Sequence, residues 1–190
     1  MSSLKADFYE LIDRIKAGRD FGHASFEPIF YMVFSPASIL EVKRQMPAWE
    51  AKLRNEGWIV HKFSIAIEVQ QILDAAPLRK IWIKADGKAP QQWDKTNKSL
   101  ANALSKGALQ NRLEEVLHEL EGQPNTILLV TDVEALHPYM RIGSIESQLQ
   151  GKFHVPTVFF YPGTRTGKTQ LKFLGFYPED GNYRSVHVGG

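Results

Sequence analysis

Four short apolar segments constrain the fold of this chain more than any other feature of its sequence. They are IFYMVF (29–34), WIVHKFSI (58–65), TILLVTD (126–132) and VPTVFFYP (155–162). Runs of consecutive apolar, β-prone residues are typical of parallel strands that are buried on both faces. Because helical patterns separate these segments, the sequence predicts an α/β fold. We expect a three-layer, Rossmann-like domain with about four mainly parallel strands.

Helical periodicity accounts for most of the sequence between the strand segments. A serine and a proline at positions 35 and 36 predict the start of one helix, and Gly57 predicts its end. Pro47 lies inside this helix and predicts a kink or a break. The segment LRKIWIKA (78–85) fits a strand or a helix by its pattern alone. Further helices are predicted over 4–16, 66–76, 98–122 and 144–151.

The length of 190 residues predicts a single domain over residues 1–190. No stretch approaches about 18 consecutive apolar residues, so no membrane association is expected. The chain has no cysteine, which excludes disulfides, thiol catalysis and Cys-ligated metals and fits a cytoplasmic protein. Its net charge of +2 is too small to argue for nucleic acid by itself.

The stretch YPGTRTGKTQLKFLG (161–175) contains Gly-Lys-Thr, as does the phosphate-binding loop of ATPases. Such a loop needs four residues between its glycines and a helix directly after it. Here three residues separate the glycines, and the alternating pattern after Lys168 is typical of a strand. The sequence therefore predicts a β-hairpin with a C-terminal antiparallel edge strand. The alternative is a nucleotide-binding or hydrolysing enzyme that uses the 163–169 loop, with Lys168 and Asp132 binding phosphate.

Few other residues form a pattern with chemical meaning. Asp132 ends the third strand segment, and the carboxyl ends of parallel strands form the ligand crevice of open α/β sheets. A turn-capping role for Asp132 and a carboxylate partner for Arg141 are the structural alternatives. The six histidines lack metal-binding spacing, and the sequence has no Gly-x-Ser-x-Gly elbow or paired-carboxylate motif. We therefore assign no catalytic residue, no metal site and no cofactor.

Aromatic and basic residues occur together in the last forty positions. Arginine and tyrosine are favoured at protein interfaces, so this region is a candidate binding surface. Its members are Phe176, Tyr177, Tyr183, Arg165, Lys168 and Arg184. The same set could stack on single-stranded nucleic acid, but a local excess of three positive charges is a weak electrostatic footprint. Direct nucleic-acid binding is therefore not expected.

Two C-terminal segments together resemble one protein family. Residues 126–151 and 155–188 are similar to the BrxB family of BREX bacteriophage-exclusion systems, which was long catalogued as a domain of unknown function. The resemblance is poor over 77–122, and the family's turn does not require Gly-Lys-Thr. The matching residues are Thr131, Leu136, Pro138, Arg141, Leu149, the turn Tyr161-Pro162-Gly163, Leu171, Phe173 and Tyr183-Arg184.

The resemblance implies membership of a multi-gene antiviral defence complex. Such systems encode a large ATPase, an adenine-specific DNA methyltransferase and a PglZ-type protein of the alkaline-phosphatase superfamily. The family has no established catalytic residues, so Arg141, Tyr161, Tyr183 and Arg184 are interaction candidates, with buried structural roles as the alternative. We expect a non-enzymatic adaptor or scaffold that binds the PglZ-type protein, with the ATPase or the methyltransferase as further partners. A DNA-binding accessory protein is a further alternative.

Overall fold

The computed structural model describes residues 3–20, 27–167, 170–181 and 185–190. The helices in these residues are α1 (Leu4–Asp20), α2 (Ile39–Asn55), α3 (Ile65–Ala75), α4 (Arg79–Lys88), α5 (Trp93–Ser105), α6 (Ala108–Leu120) and α7 (Ile142–Gln148). The strands are β1 (Ile29–Phe34), β2 (Ile59–Ser64), β3 (Thr126–Thr131), β4 (Thr157–Thr166), β5 (Gln170–Phe173), β6 (Glu179–Gly181) and β7 (Val186–Gly189).

The central sheet contains parallel strands in the order β2-β3-β4-β1-β7. The four segments predicted as strands are all members of it, so the prediction of an α/β fold with a mainly parallel sheet is confirmed. β7 is a further strand that the sequence pattern does not predict, because it has only four residues and ends in glycine. The order also differs from the 3-2-1-4-5-6 order of the Rossmann fold.

Alternating residues of β1 explain why helices cover both faces of the sheet. All six residues of β1 are buried. Phe30 and Met32 point to one core, which contains the apolar faces of α1 and α2. Tyr31 and Val33 point to the other core, which contains residues of α3, α5, α6 and α7. α4 contributes to neither core and packs against α5 and α3.

The helix predicted from positions 35 and 36 continues past Pro47, where the sequence predicts a kink or a break. Ser35 Oγ accepts a hydrogen bond from Ala37 N at 3.3 Å, and α2 follows after one 3-10 turn. α2 continues unbroken through Pro47 because four of its side chains, among them Trp49, are buried against the sheet. The pattern over 98–122 instead divides at Gly107, whose φ is 86°. The ambiguous segment 78–85 lies in a helix.

The predicted hairpin is present at the end of β4. Gly163 to Thr166 of β4 pair antiparallel with β5, in the register Gly163 with Phe173. β5 pairs in turn with β6, so it is not an edge strand. Among the residues that the structure describes, strand β5 follows the turn, whereas a phosphate-binding loop requires a helix there.

Candidate functional site

A cleft of about 250 Å³ opens at the carboxyl edge of the parallel sheet. It lies between α2 and the ends of β1, β2 and β3, and its wall includes Phe34, Ser64 and Asp132. Ligands of open α/β sheets bind at this edge. The cleft is therefore the place where the fold would put a reactive or ligand-binding group.

Asp132 is bonded on both sides of its carboxylate. It follows β3 in the left-handed backbone conformation, with φ 59° and ψ 36°, which aspartate tolerates better than most residues. Its Oδ2 accepts hydrogen bonds from Ser64 Oγ at 2.6 Å and from Thr131 Oγ1 at 2.9 Å. Its Oδ1 lies 2.8 Å from Lys43 Nζ. Three side chains from three elements thus converge on one carboxylate.

Lys43 of α2 joins two carboxylates, because its Nζ also lies 2.8 Å from Glu134 Oε1. Burial lowers the pKa of Lys43, but its hydrogen bonds to Asp132 and Glu134 outweigh burial and raise the pKa above its ordinary value. Burial likewise raises the pKa of the Asp132 carboxyl. The hydrogen bonds from Lys43, Ser64 and Thr131 outweigh it and hold that pKa below its usual range. Both groups are therefore charged at neutral pH.

A second group of ion pairs borders the same cleft. Glu50 of α2 lies 3.1 Å from Lys62 of β2 and 3.1 Å from Arg54. In the described ranges, no group of three or more His, Cys, Asp or Glu could hold a metal ion. The charged side chains around the cleft therefore bond to one another and tie α2 to β2 and β3.

Arg141 and Tyr161, two of the family-motif residues, do not line the cleft. Arg141 forms an ion pair with Asp180 at 3.0 Å and donates to the carbonyl of Pro178 at 3.3 Å. Tyr161 is buried against Phe173, with ring centroids 5.6 Å apart. Burial, with Asp180 adding to it and Arg141 opposing it, raises the pKa of Tyr161 far above its ordinary value. Both residues thus hold the β5–β6 extension against the sheet.

Several polar side chains form a cluster beside β1 that no pattern in the sequence predicts. The Tyr31 hydroxyl donates a hydrogen bond to the Glu146 carboxylate, which joins β1 to α7. The His187 ring packs edge-on against Tyr31 at 5.4 Å, and its Nε2 lies 2.8 Å from Ser185 Oγ. Burial, together with the charge of Arg165, lowers the pKa of His187 to about 4. These residues lie far apart in sequence and meet only through the strand order.

Three residues singled out from the sequence, Lys168, Tyr183 and Arg184, lie outside the described residues. The last pair of the hairpin before the turn is Thr166 with Gln170. Continuing the β3–β4 register puts Asp132 level with residue 161. The base of the turn therefore lies roughly 16 Å further along β4, at about 3.3 Å per residue. The described backbone does not bring the turn and Asp132 together.

Comparison with protein families identifies a match. A family model described as BREX protein BrxB covers residues 66–188, nearly two thirds of the chain, from α3 to β7. Comparison with curated proteins and with solved structures finds no match. Within the described ranges, no helix combines the length and the apolar character needed to span a membrane. The chain therefore belongs to the BrxB family of BREX proteins, which indicates involvement in a BREX anti-phage system.

Proposed function

We propose that the chain is a non-enzymatic adaptor of a BREX complex and that it binds the PglZ-type component. Membership of the BrxB family supports a place in the defence system. The observation that carries the adaptor role is the bonding at the carboxyl edge, where Lys43 joins Asp132 to Glu134. An α/β enzyme keeps groups at this edge available for its substrate. Here they fasten α2 to the sheet.

Asp132 is poorly suited to acid–base catalysis at neutral pH. A general base works best when its pKa lies near the working pH, whereas the pKa of Asp132 is held below its usual range. A substrate that approached this carboxylate would also have to displace Ser64, Thr131 or Lys43. The lost hydrogen bonds would cost about 1–3 kcal/mol each before any chemistry began.

The choice of partner follows from what the resemblance to BREX proteins implies. Among the proteins that such systems encode, the PglZ-type protein belongs to an enzyme superfamily, and the ATPase and the methyltransferase are enzymes. A small protein that catalyses no reaction would serve such a system by bringing these enzymes together. The PglZ-type protein is therefore the first partner to test, with the ATPase and the methyltransferase next.

Co-expression with the PglZ-type protein from the same locus, followed by size-exclusion chromatography at about 10 μM, tests the proposal. We expect one complex that elutes earlier than either protein alone. An unrelated α/β protein of similar mass, co-expressed in the same way, is the control and should elute separately. Separate elution of this chain and the PglZ-type protein would contradict the proposal.

The nucleotide-binding alternative has its own test. We expect calorimetric titration with ATP and magnesium to give no saturable heat, because the partners of Asp132 lie within the chain. The alternative instead requires saturable heat that is lost in Lys168→Ala and in Asp132→Asn. Lys172→Ala, on the neighbouring strand, is the matched control and should keep any such binding.

A further inference from the structure

Positive charge is concentrated in one part of the chain. Residues 77–107, which include α4 and α5, carry seven Lys or Arg and two Asp, a net charge of +5 against +2 for the whole chain. The seven are Arg79, Lys80, Lys84, Lys88, Lys95, Lys98 and Lys106, and all are exposed. Among the residues that the structure describes, only Arg79 of this set has a carboxylate within 4 Å, that of Asp74.

One face of α4 presents three of these lysines to solvent. At about 100° per residue, Lys80, Lys84 and Lys88 follow one another on the side of α4 away from Trp82. Trp82 is the buried residue of this helix, and its Nε1 donates to Ser99 Oγ of α5 at 2.8 Å. A second hydrogen bond between the helices, from Thr96 to Asp86 at 2.7 Å, fixes the same orientation. The lysine face is therefore held outward.

Large apolar side chains flank the lysine face. Ile81 and Ile83 are 61% and 57% exposed, and Trp93 at the start of α5 is 60% exposed. With Leu78, they make up four of the nine large hydrophobic residues that are exposed in the described part of the chain. A helix face that is only solvated carries polar residues at such positions. Exposed apolar side chains rimmed by charge mark interaction sites.

We propose that this surface, defined by Lys80, Lys84, Lys88, Ile81 and Trp93, binds an acidic segment of a partner protein that also carries apolar side chains. Charge complementarity selects an acidic partner and speeds its association. The exposed isoleucines favour protein over nucleic acid, since nucleic acids are contacted through phosphates, base edges and stacked bases. The inference rests on the proposed adaptor function and names the surface through which the adaptor acts.

The test uses the full chain with Lys80→Glu, Lys84→Glu and Lys88→Glu combined. Its affinity is measured for whichever of the PglZ-type protein, the ATPase and the methyltransferase the wild type binds. The control combines Lys5→Glu, Arg14→Glu and Arg44→Glu, which change the net charge equally on α1 and α2, the helices of the opposite layer.

We expect the α4 variant to lose about tenfold or more in affinity, and the control variant to bind nearly as the wild type does. Thermal melts should show both variants folded, because every substituted side chain is exposed. A second variant combines Ile81→Ser with Ile83→Ser and tests the apolar part of the surface. It should bind more weakly than the wild type at low salt and also at high salt, where charge contributes little.

The outcomes distinguish failure of this inference from failure of the proposed adaptor function. Equal affinity of the α4 variant and the wild type overturns the assignment of this surface and leaves the adaptor function standing. Failure of the wild type to bind any of the three partners overturns both. If instead the wild type binds a DNA duplex of about 30 base pairs or its single strand, with affinity that falls steeply with salt and is lost in the α4 variant, the surface belongs to nucleic acid.

Discussion

Asp132 shows how one carboxylate can hold several elements in place. Its partners come from the end of β2, the end of β3 and the second turn of α2. Ser64 also accepts a hydrogen bond from Ile67 N at 3.4 Å and so caps α3. The same network therefore fixes the start of one helix and the position of another.

Removing the ammonium of Lys43 should destabilise the fold modestly. In Lys43→Met, Asp132 and Glu134 lose their shared cation, but the Lys43 side chain is 49% exposed, so solvent already screens the pairs. We expect a loss of about 1 kcal/mol in the free energy of unfolding, measured by urea denaturation. Arg44→Met, where the side chain is 74% exposed, is the control and should change stability by less than about 0.5 kcal/mol. Equal effects of the two substitutions would count against a structural role for Lys43.

Only part of this network could be predicted from the sequence. Asp132 directly follows a buried strand, and this position singles it out in the sequence. Ser64 ends β2, which is mostly exposed or half-buried, and the sequence did not single it out. Lys43 carries no such signal, because its approach to Asp132 depends on how α2 packs across the sheet. For Arg141, the sequence indicated only that a carboxylate could be its partner, and Asp180 is that partner in the fold.

Gly163 lies inside β4, where the sequence predicts a Tyr-Pro-Gly turn, and it is required there by close packing. A Cβ at this position would meet the carbonyl oxygen of Lys172 and lie 2.6 Å from the Tyr161 ring. We expect Gly163→Ala to cost about 1–3 kcal/mol in urea denaturation, the usual range for overpacking. Gly143→Ala in α7 is the control. It has open space around it and should gain up to about 1 kcal/mol. A neutral Gly163→Ala would show that β4 and β5 can move apart freely.

Protonation of His187 should make the free energy of unfolding depend on pH, and it should do so at pH values above those at which carboxylates titrate. Its pKa is about 4 in the fold because of burial and Arg165, against about 6.5 when unfolded. As pH falls below about 6.5, the unfolded chain binds a proton that the native chain does not, so stability decreases until about pH 4. The difference between the folded and unfolded pKa values corresponds to roughly 3 kcal/mol in the free energy of unfolding.

Urea denaturation between pH 7 and about pH 5 measures this effect. His187→Phe keeps a ring against Tyr31 but cannot titrate, so its stability should fall less over this interval. Wild-type and His187→Phe curves with the same pH slope would refute the assignment.

At the scale of elements, burial decides what the sequence can predict. β1, β3 and the first seven residues of β4 are buried on both faces, which leaves a continuous apolar signal. β2 lies at the edge of the sheet and buries only Phe63 and Ser64, so the expectation of burial on both faces is wrong for that strand. α4 buries only Trp82, so its pattern has no apolar stripe and is ambiguous. β7 is too short to leave a pattern, and the tail that contains it reads as a solvated end. The division at Gly107 is visible only as a glycine within a helical pattern.

Pro47 makes a testable case of packing that overrides local preference. Its ring clashes with the preceding turn and it offers no N–H to the carbonyl of Lys43, yet α2 is continuous. We expect Pro47→Ala to raise stability by about 1–3 kcal/mol, since the proline side chain is exposed and loses no core contact. Ala48→Pro, the reverse change at the next exposed position, should lower the thermal midpoint. An unstable Pro47→Ala variant would show that α2 requires the proline for its path.

At the scale of the whole molecule, β1 has strands on both sides. β4 pairs with it on one side and β7 on the other, both parallel. β7 therefore closes the apolar strand IFYMVF against solvent and contributes Val188 to the core with α1 and α2.

Deleting residues 186–190 should turn β1 into an exposed edge. Unpaired apolar edges template association with other chains, so we expect oligomers or aggregates by size-exclusion chromatography with light scattering. The thermal midpoint should also fall, because the core loses Val188. Deletion of Gly190 alone is the control and should leave a protein of wild-type size. A truncated chain that stays monomeric with an unchanged midpoint would rule out this role for β7.

The interior position of β1 also has a consequence for how the chain acquires its fold. β1 leaves the ribosome before its partners in β4 and β7, which follow roughly 130 and 155 residues later. Contacts so distant in sequence give a high contact order. The entropy lost in closing such long loops opposes folding before the paired strands stabilise the fold. During translation this apolar strand therefore remains unpaired until β4 has been synthesised, which makes it the segment for which a chaperone would compete.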